Sequence, residues 1–319
     1  MVLGLALQGT SSAQDSIELS FHPAPGTVLD KTFEIESRGH LTAARLNDID
    51  LTGMLAGLNE ITVESKLRVT DELLEVGGGR PLELVRDFEK VRTAWGWRDR
   101  HEMLDPLLYR TVRFTWDADH EEYVKDWEPR RGSVRELDGL WEDLDFRCLL
   151  PDEPVAVGEP WYVSLRRIAP ALLPGGSIYR DRLLWDEWNL FELEDTLAPR
   201  SRHWFRNDDV VCRLEEVLTI DERTFARVSV RWTWWGQLDL YPEDARDSWW
   251  LQFATWGAFV DLDLSGRGEL MWDVEAGHFA SFELEADCEA ELELRGEWGS
   301  IEVEAEGSAE WRATAALCD

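Results

Sequence analysis

The sequence predicts a mainly β protein: an antiparallel meander forming a strongly curved sheet or half-barrel, or two joined β-units, with at least one packed helix. Three observations predict it. From Phe282 to Leu294 apolar or small residues (Phe282, Leu284, Ala286, Cys288, Ala290, Leu292, Leu294) alternate without a break with six carboxylates. That period of two is what a strand with one buried face requires. After Gly296-Glu297-Trp298-Gly299 the alternation resumes on Ile301, Val303, Ala305, Ala309, Trp311 and Ala313, which makes a long hairpin. Finally, shorter runs of the same kind follow one another along the chain with turn residues between them, an order that favours antiparallel neighbours over βαβ crossovers.

In chain order, the first half reads as strands over 17–21, 27–37, 61–69, 81–94, 111–116 and 122–127. The second half adds 161–167, 210–220, 224–237 and 269–274 before the terminal hairpin. Turns fit at Asp117-Ala118-Asp119-His120, at Asp221-Glu222-Arg223 and at Glu275-Ala276-Gly277, whose glycine suits a positive φ. Over 133–148, Val134, Leu137, Leu140, Trp141 and Leu144 are spaced by three and four, with Ser133 as N-cap and Glu136 three residues on, so this stretch predicts a helix. Residues 182–194 fit a helix or a strand equally. The proline- and acid-rich run 151–160 is the best junction. It divides the chain into an N-terminal β-rich unit, 16–150, and a C-terminal antiparallel unit, 151–319.

Composition narrows the function classes. The 319 residues carry a formal net charge of −32, which disfavours nucleic acid and anionic membrane surfaces, both of which demand a basic footprint. Lysine occurs only at 31, 66, 90 and 125. No stretch is long and apolar enough to span a bilayer as a helix. Residues 1–15 hold the apolar run Val2 to Leu7 and the small pair Ser11 and Ala13, the pattern of the end of a signal peptide cleaved before Gln14. The expected location is therefore periplasmic or extracellular. Cys148, Cys212, Cys288 and Cys318 form no Cys-x-x-Cys pair, which argues against zinc and leaves disulfides and buried thiols both open.

The run Leu150-Pro151-Asp152-Glu153-Pro154-Val155-Ala156-Val157-Gly158-Glu159-Pro160-Trp161 resembles a motif of a group of secreted bacterial proteins of unknown function, Leu-Pro-x-x-Pro-Val-x-Val-Gly-[Asp/Glu]-x-Trp. Phe21 to Gly26 is similar to that group's opening strand and turn, and Gly268 to Glu285 to its late hairpin. The resemblance implies export and a β-architecture, and no activity. The Trp-dense segment from Trp232 to Trp256 departs from the group's pattern. Physically, the prolines stop the preceding element, Gly158 permits a tight turn, and Trp161 opens a strand and anchors it in the core.

Catalytic motifs are absent: no Gly-x-Ser-x-Gly, no His-Glu-x-x-His, no phosphate loop. No cofactor and no metal ligand set is expected. Asp117, Asp119 and Glu121 alternate like a calcium loop but lack its bending glycine and closing acid, so a solvated turn is the reading. Trp232, Trp234, Trp235, Trp249, Trp250 and Trp256 stand above background as a ligand-binding candidate, for an apolar or carbohydrate ligand, against the plainer alternative of core packing. The leading function is a non-enzymatic binding protein of the envelope. Its rivals are a hydrolase whose site no linear motif reveals and a purely structural or adhesive module. The terminal hairpin should pair Leu294 with Ile301 and Leu292 with Val303, and hence Glu293 with Glu302, Glu291 with Glu304 and Glu289 with Glu306. That places like charges face to face, with salt screening plus arginines of a neighbouring strand, Arg227 and Arg231 the best candidates, as the expected relief, favoured over a bound divalent cation.

Overall fold

The structure, a computed structural model, describes residues 16–47, 49–55, 60–96, 101–104, 107–129, 132–133, 137, 140–172, 174–176, 209–240, 257–296 and 299–318. Among the described residues, thirteen strands form one antiparallel sheet. They are β1 (Thr27–Leu46), β2 (Ile49–Asp50), β3 (Glu60–Gly77), β4 (Arg80–Gly96), β5 (His101–Leu104), β6 (Thr111–Asp117) and β7 (Glu122–Glu128), followed by β8 (Pro160–Ser164), β9 (Asp209–Ile220), β10 (Arg223–Leu240), β11 (Gly257–Asp273), β12 (His278–Gly296) and β13 (Gly299–Leu317). The path runs β7-β6-β4-β3-β1-β13-β12-β11-β10-β9-β8, with β2 beside β1 and β5 beside β4. Among the described residues its ends, β7 and β8, remain edges, so the sheet is not closed, and a curved sheet or half-barrel fits it. Register shifts at Leu41/Ala43, Arg68/Val69, Arg227/Val228 and Met271/Trp272 add the local bending that a long sheet needs to curl.

The hairpins follow from their turn residues. Gly78 and Gly79 (φ +59° and +74°) join β3 to β4, and Asp221 and Glu222 (φ +49° and +66°) join β9 to β10 in the same two-residue left-handed form. Between β11 and β12, Asp273 Oδ1 accepts the backbone N–H groups of Glu275 and Ala276, and Gly277 takes φ +69°. β1 lies between β3 and β13, so the two halves of the chain share one sheet.

One face is buried. Leu29, Phe33, Leu67, Leu73, Leu84 and Phe88 line it on the N-terminal side, and Val228, Leu270, Phe282 and Leu284 on the C-terminal side. It is covered by chain with little regular structure. Ile17 bridges to Val155 by backbone bonds of 2.8 and 3.0 Å, and Leu140 bridges to Gly176. Phe146 sets its ring 4.8 Å from Phe279 and 4.2 Å from Phe282. Each such side chain contributes roughly 1.5–3 kcal/mol by leaving water.

The cover corrects the helix expected over 133–148. Its described residues are turn, bridge and coil, with a single 3-10 turn at Arg147–Leu149. The spaced Leu137, Leu140 and Leu144 are buried as expected, but in a plug that keeps only short local turns, such as Leu140 N–H to Leu137 O at 3.2 Å, and sends other bonds outside itself. Trp141 N–H donates to Gly175 O, and Ser133 O accepts from Trp127 Nε1. Phe146 sits at φ +55°, a left-handed conformation that costs a bulky residue about 1–2 kcal/mol and ends any regular helix. Short helices stand at Thr52–Leu55 and Ala169–Leu172 instead. Residues 17–21 form only the one bridge rather than a strand, and the expected strand over 161–167 turns into 3-10 helix at Leu165–Ile168. Residues 1–15 and 182–194 lie outside the described residues.

Candidate functional site

The register lays the buried face out as rows of residues running across the strands. Near the covering segment the row is Val228, Leu270, Phe282, Ala313 and Phe33, all large but one. Two rows on it becomes Trp232, Gly266, Ala286, Ala309 and Ser37, and next Trp234, Leu264, Cys288, Gly307 and Gly39. Beyond these stand Leu262, Ala290, Ala305 and Leu41, then Leu292, Val303 and Ala44, then Leu294, Ile301 and Leu46. The floor thus steps down from phenylalanine to glycine and alanine, then rises again to leucine and isoleucine. Cys288, Ala290, Leu292, Leu294, Val303 and Ala305 are half-buried, and no charged side chain interrupts these rows among the described residues.

The sequence grouped six tryptophans; the period of two separates them. Trp232 and Trp234 point to the inner face and are buried. The Trp232 indole lies across Gly266, where an added Cβ would stand 2.1 Å from the ring. That is why this strand pair tolerates a glycine: the cross-strand ring covers the bare backbone. Trp235 faces the other surface, 53% exposed, opposite Asp263. Trp249, Trp250 and Trp256 lie outside the described residues.

A second grouping was not anticipated. Lys31 on β1, Asp71 on β3 and Arg86 on β4 occupy inward positions, and all three are fully buried. Lys31 Nζ donates to Asp71 Oδ2 at 2.8 Å. Arg86 grips the same carboxylate with Nε on Oδ1 at 2.6 Å and Nη2 on Oδ2 at 2.8 Å, the bidentate geometry that guanidinium favours. The cover closes over them. Arg86 donates to the carbonyls of Trp141 (3.0 Å) and Glu142 (2.8 Å), and Asp145 Oδ1 lies 2.6 Å from Lys31 Nζ as an ion pair without directed hydrogen-bond geometry. Burial alone would push the Asp71 carboxyl up; Arg86 and Lys31 overcome it and hold the pKa down at about 2.

Around this cluster, Arg147 pairs with Glu142 and with Asp143 (3.3 Å) and stacks 5.2 Å over Phe21. His278, also buried, donates from Nδ1 to the Phe279 carbonyl at 2.7 Å. The four cysteines are free thiols; burial pushes Cys212 up to about 12 and raises Cys148, which leaves neither thiol nucleophilic near neutral pH. Among the described residues no group of His, Cys, Asp or Glu is arranged to hold a metal ion. The Asp117 carboxylate instead caps its own turn, accepting from the backbone N–H groups of Asp119 and His120 and pairing with the His120 ring.

The outer face carries the acidic ladder with the expected register: Glu293 opposite Glu302, Glu291 opposite Glu304, Glu289 opposite Glu306. Its relief does not come from Arg227, which pairs with Glu216 at 2.7 Å and with Glu269. The strand beside β13 is β1, and it supplies Arg45, 3.7 Å from Glu302 and 3.6 Å from Glu304, and His40, 3.3 Å from Glu306. Arg231 stands on β10 opposite Arg267, with β11 and β12 between it and β13.

In the motif of residues 150–161, Gly158 takes φ +86° and donates to Leu214 O at 2.7 Å. Trp161 Nε1 donates to Leu149 O at 2.9 Å, tying β8 to the cover. No helix among the described residues is long and apolar enough to cross a membrane. No family model matches the chain, and no curated protein matches it. Among solved structures, an outer membrane channel from Pseudomonas putida F1 aligns at 7% identity over 92% of this chain and 97% of that one, with a TM-score of 0.15, too low to carry an argument.

Proposed function

We propose that the protein is a non-enzymatic envelope or secreted protein that holds an uncharged aliphatic chain on the inner face beyond Trp234. The supporting observation is the stepped apolar floor. From Cys288 to Leu294 it spans seven residues, roughly 20 Å at strand spacing. Trp232 and Trp234 stand at its deep end, and Leu294 and Ile301 at its far end. Charge complementarity selects the occupant: the outer face is dense in carboxylates, whereas the floor bears none. A glycan would need polar side chains to fix its hydroxyls, and these rows offer only Ser37, so the aliphatic reading is favoured over the carbohydrate one. The hydrolase reading has less support, because His278 and Asp145 are sealed from water beneath the cover.

Ala290→Phe and Ala305→Phe test this by filling the floor. A fluorescent fatty-alcohol probe should bind the unaltered protein and lose at least about tenfold in affinity in either variant, equivalent to 1.4 kcal/mol, with the melting temperature little changed. A probe that ignores both substitutions, or that never binds, overturns the proposal. Export is tested separately: N-terminal sequencing of protein from the periplasm or medium should read from Gln14, and an intact Met1 on cytoplasmic protein would refute it.

A further inference from the structure

The covering segment 140–150 packs through Phe146 on Phe279, the residue next to one buried titratable ring. His278, at the start of β12, is 2% exposed. Its Nδ1–H donates to the Phe279 carbonyl, which fixes the neutral tautomer with a lone pair on Nε2, and among the described residues no donor reaches that nitrogen. Three charged groups act on the ring through space: Asp145 from the cover and Asp273 from β11 favour its proton, and Lys31 from β1 opposes it. Behind the turn, His22 packs on Gly277, the residue before His278. Asp273 is already occupied by Arg223 and by the amides of Glu275 and Ala276. Lys31 is shared by Asp71 and Asp145. Next to Asp145, Phe146 is held in its left-handed conformation by packing on Phe279 and Phe282.

We propose that His278 is an acid-sensing latch, whose protonation releases the covering segment 140–150 from the inner face of the sheet. A proton on Nε2 adds a buried cation that Lys31 repels and a new donor that needs an acceptor. Of the two carboxylates that act on the ring, the one whose oxygens accept no hydrogen bond is Asp145, on which Lys31 already rests. Two cations then compete for one carboxylate where water is excluded, and hydrating them requires the cover to lift. Lifting also lets Phe146 leave its left-handed conformation. The direction of titration agrees: burial pulls the His278 pKa below its ordinary value, and the Phe279 carbonyl, Asp145 and Asp273 only partly offset it. The closed form therefore binds fewer protons than the open one, so closure is favoured at neutral pH and lost progressively as pH falls below about 6.5.

Hydrogen exchange of the full chain tests this. After correction for intrinsic rates, amides of residues 141–150 should open at least about tenfold more at pH 5 than at pH 7. An apolar dye should bind in the same window as Phe33, Phe279 and Phe282 become accessible. In His278→Gln both changes should vanish while exchange at pH 7 stays within a few-fold. An equal acid response in the variant, or none in the unaltered protein, overturns the latch. Should the variant not fold, the ring itself decides: an NMR titration midpoint for His278 clearly below about 6.5 supports the proposal, and one at or above it refutes it.

Discussion

Lys31→Met tests whether the buried cluster secures the cover. Methionine retains most of the lysine stem, so the substitution deletes a charge and little packing. The four side chains sum to zero charge, Lys31 and Arg86 against Asp71 and Asp145. Without Nζ, Asp71 keeps both bonds from Arg86, but Asp145 loses the one ion pair that the described residues give it while remaining buried. An uncompensated buried charge of this kind costs about 3–5 kcal/mol. Asp145→Asn leaves Lys31 on Asp71 and should cost less, about 1–3 kcal/mol. The double variant restores neutrality, so its loss should fall short of the sum of the two by about 1–3 kcal/mol. Urea unfolding at pH 7 with an unchanged slope measures all three. Acid adds an independent readout. The Asp71 pKa of about 2, below its ordinary 3.8, stabilises the fold by roughly 2–3 kcal/mol above pH 4, a contribution lost as pH falls from about 4 towards 2. In Lys31→Met that acid-dependent loss should shrink. A Lys31→Met cost below about 1 kcal/mol, the value of a surface pair, or strictly additive losses would refute the reasoning.

Two further outcomes follow from the two faces of the sheet. The Glu289, Glu291 and Glu293 ladder opposes like charges that each cost up to roughly 1 kcal/mol, so the melting temperature should climb steadily with sodium chloride. Arg45→Ala should lower it most at low salt; a melting temperature flat in sodium chloride but raised by micromolar calcium would instead make this face a metal site. On the inner face, Trp232→Ala should cost about 3–5 kcal/mol as a core truncation. Gly266→Ala, whose methyl would meet the Trp232 ring, should cost about 1–3 kcal/mol. Thermal melts of the double variant should show less than the sum, because the ring that the methyl strikes is gone.

The terminal hairpin was fully legible because both arms keep period two and a glycine-bounded turn fixes their phase; every pair expected from Leu294–Ile301 to Glu289–Glu306 is present. The first half of β11 was not legible. Ser265, Gly266 and Gly268 break the apolar alternation there, and the strand exists because β10 and β12 pair with it on both sides. The relief of the acidic ladder was assigned to the wrong strand for a related reason. Sequence order makes β10 a close neighbour, whereas the β1–β13 pairing joins residues nearly the whole chain apart. The cover misled because amphipathic spacing reports which residues are buried, not how their backbone is satisfied. Here Gly175, Trp127 and Arg86 supply partners that a helix would have supplied to itself.

The buried cluster shows how much more a strand pattern contains once phase is known. Leu29-x-Lys31-x-Phe33, Val69-x-Asp71-x-Leu73 and Leu84-x-Arg86-x-Phe88 each place a charge where the alternation demands an apolar residue. In a chain with lysine at only four positions, one of them inward is a strong mark. Three inward charges on adjacent strands imply mutual pairing, since none can be left alone in a core. Two cations and one anion leave a surplus of one positive charge, so the count requires a further carboxylate from whatever covers the sheet. Residues 133–150 offer Glu136, Asp138, Glu142, Asp143 and Asp145. Neutrality therefore points to the cover but not to the residue, and Asp145 is selected by the left-handed turn at Phe146, which period alone does not reveal.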